Sequence, residues 1–179
     1  MTPDEVQYLL AAPNASAGYA DPGTVYNSNG MYCSTTQINV EVPGNNTFPD
    51  ITGVQNAAQM VDYQCFFIYN SDTVSSMANT YVWLPSSAIL TNAVAWAIAA
   101  DPTGVSNYNT TSQQALLVAN PQVAPVGISS WTAPSSTFTG GVNIGTIGPR
   151  QVFPIWIRRT ATGIAAATAG FTLQVTFDA

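Results

Sequence analysis

The stretch VDYQCFFIYN (Val61–Asn70) decides the fold. Tyr63, Cys65, Phe67 and Tyr69 fall on one side of an extended chain, and Gln64, Phe66, Ile68 and Asn70 on the other. Both sides carry large apolar groups. A strand with one wet face alternates apolar with polar, whereas one buried on both faces does not. The segment therefore predicts a central strand, covered on both faces.

Working outward, the neighbouring segments read the same way. NTYVWLP (Asn79–Pro85) comes after a turn at NSD and predicts a strand, the hairpin partner of the first. In TNAVAWAIAADP (Thr91–Pro102), alanine favours helix, but Val94, Trp96 and Ile98 recur at period two and Asp101-Pro102 ends the run. A strand is expected there. FPIWIRRT (Phe153–Thr160) and GFTLQVTFD (Gly170–Asp178) predict the last two strands, joined by the small-residue linker ATGIAAATAG. TQINVEV (Thr36–Val42) predicts the first strand, and PGNNTFPD a turn-rich connection after it. Residues 103–125 read as loop around ALLVA. Short strands, Gly/Pro turns and little helix predict an all-β fold: an antiparallel β-sandwich or jelly-roll-like single domain over residues 36–179.

Residues 1–35 are expected to form an N-terminal arm: a short helix followed by an extended segment. Thr2, Pro3 and Glu5 match a helix N-cap, first turn and capping box, with Val6, Leu9 and Leu10 as the apolar side. On this reading the arm docks on a neighbour, and deleting residues 1–30 leaves a folded domain.

Composition narrows the function. The 179 residues hold three arginines, no lysine and no histidine, with a net charge of −6. Phosphate neutralisation needs several basic groups on one face, so nucleic-acid binding is not expected. No run approaches the roughly 20 apolar residues of a membrane span, and MTPDEVQYLL lacks a basic signal-peptide start. Without histidine or lysine, the usual general bases, metal ligands and Schiff-base nucleophiles are missing. The nine acids are scattered, and Asp21, Asp50 and Asp101 adjoin prolines in turns, where a carboxylate has a structural reason to exist. No enzyme activity, cofactor or metal is expected. Cys33 and Cys65 are expected as packed thiols, although a disulfide is open to them if their Cα atoms lie within about 7 Å.

Partner contacts are sought among the residues left over. Trp83, Trp96 and Trp156 lie in strands and are expected in the core. Trp131, in the polar loop SSWTAPSS, is the candidate for an exposed contact, with a partner protein or a stacked glycan. Arg158 and Arg159 are adjacent and must point to opposite faces of their strand. Arg159 continues the side of Phe153, Ile155 and Ile157; Arg158 follows Trp156. One is expected as a structural latch at the core edge, needing Asp62, Asp178 or a loop carbonyl. The other is left to meet an acidic neighbour.

Three segments resemble a family of tailed-phage virion proteins encoded among head genes. NNTFPDITGVQNAAQMVDYQCFFIYN (Asn45–Asn70) is similar to the family's Asn-Asn-x-Phe-x-Asp-Val pattern and its subsequent Tyr-x-Cys strand. PIWIRRTATG (Pro154–Gly163) resembles its Trp-x-Arg-Arg-Thr, and GFTLQVTFDA (Gly170–Ala179) its closing Gly-Phe-Thr-Leu-x-Val strand. GMYCSTTQI resembles its Ser-Thr entry segment. Gln64 stands where the family tends to have arginine. The resemblance implies a β-sandwich virion component with no catalytic residues to transfer. The leading expectation is a capsid decoration (cement) protein on the outer head surface, bound to the major capsid protein and to copies of itself, as a homotrimer by analogy. A neck, tail or baseplate component is the alternative within the virion. A carbohydrate-binding module is the alternative outside that class.

Overall fold

The computed structural model describes residues 5–12, 28–38, 47–89, 93–164 and 170–178. Val61–Asn70 (β3) lies inside a six-stranded antiparallel sheet, between β1 (Val6–Ala12) and β8 (Gln151–Ala161). β2 (Tyr32–Gln37) flanks β1, while β5 (Val94–Ala100) and the two-residue β6 (Ser106–Asn107) pair with the far side of β8. β7 (Val142–Ile147), β4 (Met77–Trp83) and β9 (Gln174–Asp178) form a second, three-stranded sheet. The two sheets pack face to face as an all-β sandwich, as the turn-rich strand pattern predicted.

The core between the sheets takes Leu10, Phe66, Ile68, Trp96, Ile98, Phe153, Ile155 and Ile157 from the large sheet, and Met77, Val82, Ile144 and Ile147 from the small one. The opposite face of the large sheet is also buried. There Leu9, Ala11, Cys33, Cys65, Phe67, Val152 and Trp156 pack under Ala115 and Val118 of the long segment after β5. This second cluster is why β3 carries large groups on both sides.

Asp101 fastens that covering segment. Its Oδ2 accepts from Trp156 Nε1 (2.7 Å) and Leu116 N (2.9 Å), while Oδ1 accepts from Thr103 N (2.9 Å) and Oγ1 (2.8 Å). Residues 28–33 complete the fastening, since Met31 O accepts from Gln114 N and Ala115 N. The chain passes so close here that a Cβ on Gly30, at φ +92°, would lie 1.7 Å from Leu116 O.

Pro154 sits within β8 although proline cannot donate to a ladder. Its carbonyl accepts from Asp101 N, so its nitrogen faces the same side. That side is the gap where β5 has ended and β6 has not begun, so no donor is missed.

Four expectations are corrected. First, Val6–Ala12 is a strand, not a helix; Thr2 and Pro3 lie outside the described residues. A helix this short is marginal alone, whereas pairing with the edge of β3 satisfies its backbone and buries both its faces. Val6, Tyr8 and Leu10 meet the inter-sheet core, and Leu9 and Ala11 the outer cluster. Second, β1 and β2 are therefore strands of the large sheet rather than parts of an arm at 1–35, and removing residues 1–30 removes a strand next to the centre. Third, β4 is not the hairpin partner of β3. Both edges of β3 are taken by β1 and β8, so the chain crosses to the other sheet after Asn70. Buried Asn70 Nδ2 holds the crossing, donating to Ser75 O, Ile147 O and Gly148 O. Fourth, the first strand begins before Thr36: β2 runs Tyr32–Gln37, Ile38 packs on the core, and residues 39–42 lie outside the described residues.

Candidate functional site

The arginine pair divides as the alternation requires. β8 pairs Arg159 with Asp62 and Arg158 with Tyr63 on β3. Arg159 is 6% exposed, and its guanidinium lies over Phe48, 4.8 Å from the ring centroid. Its Nε and Nη2 both donate to Asp62 Oδ2, at 3.1 and 2.5 Å, and its Nη1 donates to Pro49 O at 2.8 Å. Asp62 is 0% exposed, and its other oxygen accepts from Gln122 Nε2 at 2.9 Å. A buried charge demands such pairing, and Asp62 is the partner among those the sequence left open. Arg159 is the latch; it is not available to a partner protein.

Arg158 lies on the opposite face, half-buried, with its guanidinium 5.1 Å from the centroid of Trp131. The Trp131 ring also meets Tyr63, at 5.5 Å between centroids. Trp131 is brought here by a bridge on the free edge of β5: Ile98 N donates to Thr132 O and Thr132 N to Ile98 O. In the register of β5 with β8, Ala97 stands opposite Arg158 and Ile98 opposite Ile157, so the bridge brings Trp131 to the strand beside Arg158. Trp131 is thus half-buried, and one of its ring faces is occupied by the guanidinium rather than open to a sugar. Tyr63, Trp131 and Arg158 form one surface cluster.

The other sequence-derived contact residues do not join it. Leu9 and Leu10 are buried, and half-buried Val6 packs against the inter-sheet core.

The expectation that Trp83 is core is also corrected. In β4, Thr80 and Val82 point inward, and Tyr81 and Trp83 point out. The 3-10 turn Phe138–Gly140 presses Phe138 onto them, at 5.5 Å from Tyr81 and 6.3 Å from Trp83 between ring centroids. Phe138 nonetheless remains 42% exposed. A Cβ on Gly141 would lie 2.6 Å from Trp83 Cβ, so only glycine lets this turn sit so close. The sequence signal was available: the period-two reading that sends Val82 inward sends Trp83 outward.

The carboxylates and thiols serve the fold. Asp72 is held below the usual carboxylate range, mainly by the N–H groups of Val74 and Ser75. Cys33 and Cys65 are both free and buried, and burial pushes both thiols far up, so neither is a thiolate at neutral pH. Cys33 stands opposite Ala11 on β1, and Leu10 opposite Phe66 on β3, which puts the two cysteines two strand spacings apart. That is about 10 Å, beyond the reach of a disulfide. Among the described residues, no three His, Cys, Asp or Glu are grouped to hold a metal ion. Comparison with family models, curated proteins and solved structures gives no match for this chain.

Proposed function

We propose that the protein is a structural component of a tailed-phage virion, a decoration protein on the outer surface of the head. The observation that carries this reading is the convergence of the three segments that resemble the virion family. Phe48 and Asp62 come from the first, Arg159 from the second and Phe171 from the third. In the fold Asp62 pairs with Arg159, Arg159 lies over Phe48, and Phe48 meets Phe171 at 6.2 Å. That the three motifs meet in one packed cluster supports a common scaffold, and the role is carried over by analogy with the family they resemble. The same cluster explains why residues so far apart in sequence would be kept together.

The partners are the major capsid protein and neighbouring copies, arranged as a homotrimer, and assembly takes place in the host cytoplasm. Arg158 and Trp131 form the contact surface. A guanidinium stacked on an indole is an interface anchor, and repetition over a symmetric shell turns modest single contacts into avidity. An acidic patch on the shell complements Arg158 in a protein with so few cations.

The test mixes purified protein with heads that lack it and sediments the particles. Binding in numbers proportional to the major capsid protein supports decoration. A few copies per particle support a neck, tail or baseplate position instead, and no co-sedimentation overturns both. Arg158→Ala and Trp131→Ala are expected to weaken co-sedimentation at least tenfold without unfolding the protein.

A further inference from the structure

We infer, resting on the virion reading above, that Arg158 receives a single carboxylate, an Asp or Glu side chain of the capsid protein, through two parallel hydrogen bonds. Of the three arginines, Arg159 donates through Nε, Nη1 and Nη2 to acceptors of its own chain. Arg158 is half-buried, yet its guanidinium makes no hydrogen bond or ion pair among the described residues. Its neighbours on the same face carry no carboxylate: Val61 and Cys65 on β3, Thr160 on β8, and Ala95 and Ala97 on β5. Asp62, the nearest acid in β3, points to the other face and is already engaged by Arg159 and Gln122. A partly desolvated cation with unused N–H groups is a cost to the isolated chain, and an acceptor from outside removes it.

The guanidinium is held ready for such an acceptor. It lies over the Trp131 ring, and Tyr63 braces that ring at 5.5 Å between centroids and 51° between planes. Tyr63 N donates to Pro121 O, away from β8, so Tyr63 and Arg158 form the close, non-hydrogen-bonded kind of cross-strand pair. An indole has a donor and no acceptor, and the Ala97 side chain has neither, so the N–H groups of Arg158 stay available to a partner. Their planar fork matches the two oxygens of a carboxylate, a geometry that an ammonium does not reproduce. Fixing the fork before the partner arrives lowers the ordering cost of binding.

The count of charges selects the ligand. Arg159 lies on the other side of the sheet. Arg150 precedes Gln151, the first residue of β8, and seven residues of strand, about 23 Å, separate Gln151 from Arg158. The site therefore offers one positive charge, on a chain of net charge −6. A phosphate group or a polyanion needs several cations in one place to offset that net charge. A carboxylate brings one charge, and over a screening length of about 8 Å the scattered acids of the chain oppose it little, while the contact pair keeps its strength.

The test co-sediments the full chain with heads that lack it. One set of heads is treated beforehand with carbodiimide and glycinamide, which turns Asp and Glu carboxylates into neutral amides. Amidation is expected to weaken binding at least tenfold. On untreated heads, Arg158→Lys keeps the charge and loses the fork, and should bind within about threefold of Arg158→Ala. Circular dichroism checks that both variants are folded. The lysine comparison needs no chemical treatment, so it decides the matter even if amidation damages the shell. Heads trimmed with carboxypeptidase should bind as untreated heads do; loss of binding there assigns the anion to a chain terminus and overturns the side-chain assignment. Full binding by Arg158→Lys, or undiminished binding to intact amidated heads, overturns the carboxylate site and leaves the decoration reading standing. No co-sedimentation of the unaltered protein with untreated heads overturns both.

Discussion

Truncating Arg159 should cost far more than truncating its neighbour. Arg159→Ala removes both donors to Asp62 Oδ2, the donor to Pro49 O and the cation over Phe48. It leaves Asp62 with no exposure and with Gln122 as its remaining side-chain donor. Breaking a buried pair from one side costs about 3–5 kcal/mol, because the stranded charge keeps its desolvation penalty. For a domain of this size about 1 kcal/mol shifts Tm by roughly 2–4 °C, so Arg159→Ala should melt about 12 °C lower. Arg158→Ala removes a stacked surface cation and should cost about 1 kcal/mol or less. The double variant Asp62→Leu/Arg159→Met removes both charges and should recover most of the loss, since well-packed apolar pairs replace buried ion pairs at little cost. Circular-dichroism melts and urea midpoints of the four proteins measure this directly. Equal losses in the two single variants, or a double variant no better than Arg159→Ala, would refute the latch assignment.

Other consequences are open to equally direct tests. Asp101→Asn can satisfy only one of the two donor pairs that its carboxylate now accepts, and turns an N–H₂ toward the other. A loss of about 3 kcal/mol is expected, with protease cleavage appearing first in residues 103–131. Ellman's reagent should find no reactive thiol in the native protein and two per chain in non-reducing guanidinium; fewer than two would mean a disulfide. The buried thiols and Tyr8 titrate higher in the fold than in the unfolded chain, because burial disfavours their anions. Their stabilising contribution is complete below pH 9, the unfolded thiol value, and is lost as pH rises beyond it. Urea midpoints should therefore fall above pH 9, and a flat profile to pH 11 would contradict the burial of these groups. Deleting residues 1–30 removes β1 and should abolish cooperative melting; a folded truncated protein would revive the arm.

The sequence alone determined those features that depend on local alternation. Period two in Val61–Asn70, Val94–Ala100 and Phe153–Thr160 marked three strands of the large sheet and sent Arg158 and Arg159 to opposite faces, because the pleat leaves no other choice. It could not fix where a strand pairs, since any open edge satisfies a backbone. The edges of β3 were claimed by β1 and β8, and that competition exiled β4 to the second sheet and made a strand of Val6–Ala12. Capping signatures show the same limit. Thr52 and Gln55 close a capping box on the exposed five-residue helix α1 (Gly53–Ala57), where nothing competes for the backbone. A similar Thr-x-x-Glu at residues 2–5 precedes a strand, because pairing with the edge of β3 buries both faces of Val6–Ala12. Only the tertiary structure chose Asp62 for Arg159, laid Trp131 against Arg158 and left Tyr81, Trp83 and Phe138 together on an outer face. Each of those choices joins residues tens of positions apart, where sequence spacing carries no information about distance.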